Sequence, residues 1–243
     1  MDGTEPEPVT PLSRLGRPHR RSRRGGWWWY AAATLVLLLL LRTFVVQSFS
    51  VPSGSMQPTI EPGDRVLVFA PAGRLVRGES IHRGDIVVFD GTSAFASGPP
   101  VQSSPFVDVL DALSSVLTLG SGTDYVKRVV GLPGDHVVCC DSTGRIVVNG
   151  TPVDETVYLN EGDRPSDVTF DVTVPKGAVW VMGDHRGDSS DSRSYLGRPG
   201  GGMVPLDDVI GQATVRYWPP GRLGSLGEPG PLATIPRSPG AGQ

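Results

Sequence analysis

Ser53 and Ser55 flank Gly54 in a loop bounded by Pro52 and Pro58. Gly54 allows backbone geometries that let the Ser55 hydroxyl stand free, so Ser55 is a candidate nucleophile. The Ser53 hydroxyl, together with the Ser55 amide, is a candidate donor to an oxyanion. Such a serine needs a base. Arg keeps its proton in proteins, whereas Lys can lose one when it is desolvated. The chain has 22 Lys and Arg residues, and only Lys127 and Lys176 are lysines. Lys127 lies in Asp124-Tyr125-Val126-Lys127-Arg128-Val129-Val130, where strand alternation puts Lys127 on the face of Tyr125 and Val129 and Arg128 on the other. If that face is buried, a shift of the Lys pKa from about 10.4 to about 7 is worth roughly 4–5 kcal/mol toward the neutral amine. The alternative places both cations at a sheet rim with solvated tips.

A third polar cluster is Met182-Gly183-Asp184-His185-Arg186-Gly187-Asp188-Ser189-Ser190-Asp191-Ser192-Arg193. A loop this rich in charge and hydroxyls directly after a strand is a place for function. Asp184, Asp188 and Asp191 offer oxygen ligands to a cation, but the EF-hand order is absent and Arg186 and Arg193 compete with one. His185 invites a Ser-His-Asp triad, against which stands the reading of a hydrogen-bonding or surface histidine.

Other elements must carry these groups. The 32 Gly and 23 Pro among 243 residues argue against a helical bundle and for many turns. Apolar runs at Arg65–Ala70, Asp85–Phe89, Tyr125–Val130, His136–Cys140, Arg145–Val148, Ala178–Met182 and Val209–Trp218 read as strands. Asn149-Gly150 signals a hairpin turn. No strand alternates regularly with a helix, so the expected class is all-β, mainly antiparallel with a partly barrel-like catalytic body, preceded by one N-terminal transmembrane helix.

That helix is expected over residues 27–49, where Arg42 is the only charge and a helix would span about 34 Å. Six Arg between Arg14 and Arg24 precede it, which sets the N-terminus inside and everything after residue 50 outside. A cleaved signal peptide is the competing reading. Residues 1–26 are expected to be a disordered basic tail, residues 50–218 the catalytic body, and residues 219–243 a disordered Pro/Gly-rich tail. Residues 91–124 read as an insertion in which Phe106, Val109, Leu110, Leu113, Val116 and Leu117 recur at helical spacing. Cys139 and Cys140 are adjacent, with α-carbons about 3.8 Å apart across a trans peptide, below the usual disulfide range of roughly 4.4–6.8 Å. The expectation is one buried and one exposed thiol. A formal net charge of -3 is too small to point to nucleic acid.

The order of apolar anchor, Pro52-Ser53-Gly54-Ser55-Met56-x-Pro58-Thr59, Gly84-Asp85-Ile86-Val87-Val88-Phe89, Tyr125-Val126-Lys127-Arg128-Val129-Val130-Gly131-Leu132-Pro133-Gly134-Asp135 and Gly183-Asp184…Ser189-x-Asp191-Ser192-Arg193 resembles the bacterial type I signal peptidases over residues 27–218. The resemblance implies Ser55 as nucleophile, Lys127 as general base and Ser53 as oxyanion donor. It implies Ser189 as the hydroxyl orienting the lysine, with Asp184, Asp191 and Arg193 supporting the site. Family members usually have Asn at His185, Asp at Gly187 and Asn at Asp188, so the last box departs in its middle.

Phe49, Val51, Met56 and Val126 are candidates for the shallow substrate pockets that this family uses for small side chains one and three residues before the cut. An extended peptide beside a strand edge presents alternate side chains to such pockets. The implied partners are signal peptides of secretory preproteins and membrane lipid, with no nucleic acid. The implied place is the cell membrane, single-pass, with the catalytic domain outside the cytoplasm. Neither cofactor nor metal is implied, and a monomer is expected. Two other readings stand beside this one: a Ser-Lys autoprotease of the repressor-linked type, opposed by the anchor, and a catalytically silent membrane-anchored module that binds exported polypeptides.

Overall fold

Runs of β-branched residues too short for helices pair here as antiparallel strands. The computed structural model describes residues 26–44, 46–69, 81–95, 123–226 and 230–236. The helix α1 is Gly26–Phe44. The strands are β1 (Val46–Ser50), β2 (Arg65–Phe69), β3 (Ile86–Asp90), β4 (Asp124–Gly131), β5 (His136–Cys139), β6 (Ile146–Val148), β7 (Thr151–Pro152), β8 (Phe170–Thr173), β9 (Ala178–Met182), β10 (Val204–Pro205), β11 (Val209–Trp218) and β12 (Gly224–Ser225). The part of α1 up to Leu38 belongs to one unit and the β-body to another.

The larger sheet runs β1-β2-β11-β3-β4-β9-β10, with β12 on β11, and the smaller one β7-β6-β5-β8. The fold is thus all-β and antiparallel, but the path of the larger sheet ends at β1 and β10, so the expected barrel does not close. In β3, Ile86 and Val88 enter one apolar cluster with Met56, Ile60, Val66 and Val68. Its alternate residues Val87 and Phe89 enter a second, with Val129, Val181 and Phe95. A strand covered on both faces reads as an unbroken apolar run, which is what Ile-Val-Val-Phe is. A third cluster joins Val130, Trp180 and Met182 of the larger sheet to Val137, Ile146, Val148 and Phe170 of the smaller. At the tip of β6 and β7, Asn149 and Gly150 take φ of 53° and 79°, the left-handed pair that this hairpin turn demands.

Several expectations change. The helix stops at Phe44, and residues 46–49, expected to continue it, form β1 together with Ser50, against β2. Among the described residues no helix is long and apolar enough to cross a membrane. Cys139 and Cys140 are joined by a disulfide, their α-carbons 3.0 Å apart, and are not the expected pair of one buried and one exposed thiol. The first residues of the expected insertion belong to the body, since Phe95 stacks on Tyr195 and meets Phe89 and Tyr125 edge-on. The helical-spacing residues from Phe106 to Leu117 lie outside the described residues, as does the basic tail at 1–25.

The C-terminal stretch changes most. Within the expected tail, Leu232 is fully buried and Ile235 nearly so, both in the cluster around Trp180. Arg83, paired with Asp135 at 2.6 Å, donates to the Ile235 carbonyl at 2.7 Å. Proline and glycine had suggested disorder, yet two apolar side chains and one arginine suffice to seat the segment. Leu232→Ala is therefore expected to cost about 2–5 kcal/mol in urea denaturation. An unchanged midpoint would show that the core does not need it.

Candidate active site

The loop after β1 is held at both ends before its chemistry begins. The Val51 amide donates to the Asp64 carbonyl at 2.9 Å, and the Gly63 amide to the Val51 carbonyl at 2.8 Å. Met56 and Ile60 are fully buried and fix the loop from beneath. Ser55 stands between these anchors, 7% exposed.

Lys127 reaches Ser55 from β4, paired in register with Val87. Its Nζ donates to Ser55 Oγ at 2.6 Å and to the Val126 carbonyl at 3.1 Å. The side chain is 3% exposed, so it is not a rim cation. Burial pushes its pKa down to about 8, against the opposing pull of the Asp191, Asp184 and Asp188 carboxylates. A substantial share of the amine is thus neutral near pH 8. Ser53 Oγ lies 3.3 Å from Ser55 Oγ at the exposed side of the loop.

The segment after β9 closes the site from the other side. The His185 amide donates to the Ser55 carbonyl at 3.1 Å. His185 thereby meets the serine through its backbone, while its buried Nδ1 has no hydrogen-bond partner among the described residues. Asp184 takes the Arg128 guanidinium in two bonds of 2.7 and 2.6 Å and the Thr59 hydroxyl at 2.5 Å. Asp191 is bound by Arg193 at 2.8 and 2.7 Å and by the Gly183 amide at 2.9 Å. Burial raises the Asp191 pKa, but the Arg193 hydrogen bonds and charge outweigh it and leave this carboxyl below the usual range. Two of the three possible cation ligands are thus committed to arginines.

Other expected site residues fall differently. Ser189 Oγ is buried beside Asp191, whose carboxyl it helps to hold low, and does not reach Lys127 with a hydrogen bond. Phe49, Val51 and Met56 are interior, in the cluster that Val126 borders. Of these four only Val126 is half exposed, so the other three shape the surface from behind.

Sequence reasoning missed Thr59 and undervalued Arg128, because a residue's partner on a distant strand leaves no local signal. Arg128→Met is expected to destabilise the fold by about 3–5 kcal/mol, since Asp184 would remain buried as an unpaired charge. Urea denaturation checks it, and a loss below about 1 kcal/mol would mean that Asp184 is rescued by other donors.

The family described as "Signal peptidase, peptidase S26" matches residues 24–218. The chain belongs to this signal peptidase family. It is 36% identical over 215 residues to a "Probable signal peptidase I" of Mycobacterium leprae, covering 76% of this chain and 73% of that protein. It is 35% identical over 196 residues to the "Signal peptidase I" of Leptolyngbya laminosa, covering 78% and 77%. As an S26 peptidase the chain is a serine endopeptidase. The matched region contains both the Ser55 loop and β4, and it ends at the last residue of β11.

Proposed function

We propose that this chain removes signal peptides from exported preproteins after small-x-small sites, with Ser55 as nucleophile and Lys127 as general base. The observation that carries this reading is the 2.6 Å contact from a buried, pKa-depressed Lys127 Nζ to Ser55 Oγ. The neutral amine takes the Ser55 proton as Oγ attacks the scissile carbonyl. The developing oxyanion is met by the Ser55 amide and the Ser53 hydroxyl. The Lys127 ammonium then gives its proton to the departing amine, and the freed amine activates the water that hydrolyses the acyl ester. Asp184, Asp191 and Arg193 hold the segment against which the Ser55 carbonyl rests.

A peptide extended beside Val126 would place alternate side chains over the apolar cluster of Phe49, Val51 and Met56. The apolar run of residues 27–49 in the sequence and the Arg residues before it are the grounds for reading a membrane anchor with the catalytic body outside the cytoplasm. The catalytic unit in this reading is one chain. The test is incubation of purified protein with a preprotein ending its leader in Ala-x-Ala, followed by N-terminal sequencing of the product. Cleavage directly after the second Ala is expected. An uncut preprotein that still binds would make the chain a silent binding module instead.

A further inference from the structure

Beneath the segment that meets Ser55 lies a buried network that ties Arg128, Asp184 and Arg186 to two residues, Glu155 and Tyr158, from a stretch of chain outside every motif noted above. Glu155, Tyr158, Arg128, Arg186 and Asp184 are all buried. The Tyr158 hydroxyl donates to Glu155 Oε1 at 2.7 Å. Glu155 also receives both guanidinium nitrogens of Arg186, at 3.0 and 2.5 Å. Arg186 Nε in turn donates to the Gly183 carbonyl at 2.8 Å. The Tyr158 ring carries the Arg128 guanidinium on its face, 4.2 Å from the centroid, a favourable place for a cation. Arg128 is the fork that grips Asp184. From the same stretch, the Asn160 amide donates to the Asp184 carbonyl at 3.1 Å.

We propose that Glu155 and Tyr158 are positioning residues for peptide cleavage, acting through Arg186 and Arg128 on the Gly183–His185 backbone that packs against Ser55. The inference rests on the peptidase reading above. The reason is geometric. Gly183 is held at its carbonyl by Arg186, Asp184 at its side chain by Arg128 and at its carbonyl by Asn160, and the next amide, His185, holds the Ser55 carbonyl. Glu155 and Tyr158 are where the supports of both arginines meet. Glu155 supplies the carboxylate against Arg186, and Tyr158 supplies the face against Arg128. Burial first and Glu155 next push the Tyr158 pKa well up, so its hydroxyl remains a donor over the working pH range. Two arginines buried side by side would repel without this arrangement, and the backbone they steer would drift from the nucleophile.

The test compares wild type, Tyr158→Phe, Tyr158→Leu and Glu155→Gln on a preprotein with an Ala-x-Ala leader, with folded fraction measured under assay conditions. Tyr158→Leu loses hydroxyl and ring face together, and its kcat per folded molecule is expected to fall about tenfold or more with KM within about twofold. Glu155→Gln is expected to lower kcat similarly. Tyr158→Phe keeps the ring and should lose about threefold. A merely structural role would lower the folded fraction and leave kcat per folded molecule untouched. Folded Tyr158→Leu at wild-type kcat overturns the proposal, and if that variant does not fold, folded Tyr158→Phe and Glu155→Gln at wild-type kcat do so. A wild-type protein that leaves the preprotein intact overturns the peptidase reading itself, and this inference falls with it.

Discussion

Lys127→Arg is expected to abolish preprotein cleavage, by about 10⁴-fold, although a positive charge of similar reach is kept. Guanidinium stays protonated under all working conditions, so it can stabilise a charge but cannot accept the Ser55 proton. Lys127→Met removes the amine without burying a new cation and should be equally inactive. Lys176→Arg should be silent, since Lys176 is exposed after β8. His185→Ala should retain most activity, because His185 holds Ser55 with its backbone amide, which alanine keeps. A folded Lys127→Arg enzyme near the normal rate would remove the lysine from the mechanism.

The same amine sets the pH dependence. With its pKa lowered to about 8 by burial, protonation on the acid side removes the base. Log kcat/KM should therefore rise with unit slope up to about pH 8 and level off above it. Asp188 adds to the carboxylates that pull the lysine pKa upward, and it is exposed. Asp188→Asn should accordingly move the acid limb to lower pH with little loss of stability. A limb that moves upward would contradict the sign of this interaction.

Gly183→Ala is expected to reduce kcat/KM by about 100-fold with the fold intact. A Cβ on Gly183 would stand 2.5 Å from the Ser55 carbonyl oxygen, 2.6 Å from Ser189 Cβ and closer still to Ser189 Oγ. The serine hydroxyl could turn aside, but the Ser55 backbone cannot move without carrying its Oγ away from Lys127. The Gly183 φ is ordinary for any residue, so the whole effect is steric and falls on the nucleophile. Gly197→Ala is the control, because nothing lies within 4 Å of its added Cβ, and it should be silent. Equal rates for the two variants would mean that the Ser55 loop tolerates displacement.

The local chemistry of this chain was legible in its residues one stretch at a time. Apolar runs bounded by turn residues placed β4, β9 and β11 almost to the residue, since a strand's composition is set by its own side chains. Asn149-Gly150 specified its turn because few other pairs accept two positive φ values. The contrast between two lysines and many arginines singled out Lys127 as a candidate base, and the order of the motifs supplied the serine.

Tertiary structure decided everything that depends on what one stretch meets on another. Whether Lys127 lies at a solvated rim or is buried against Ser55 could not be read from β4, because its environment comes from the Ser55 loop and the carboxylates after β9. The proposed preference for Lys127 over His185 rests on which atom of each faces the serine, a matter of backbone path between distant segments. Glu155 and Tyr158 gave no signal at all, for their partners lie at sequence distances of about thirty residues. The C-terminal stretch read as disorder by composition, yet Leu232 and Ile235 fill the core around Trp180. Burial is a property of the surrounding chain, and no residue carries it alone.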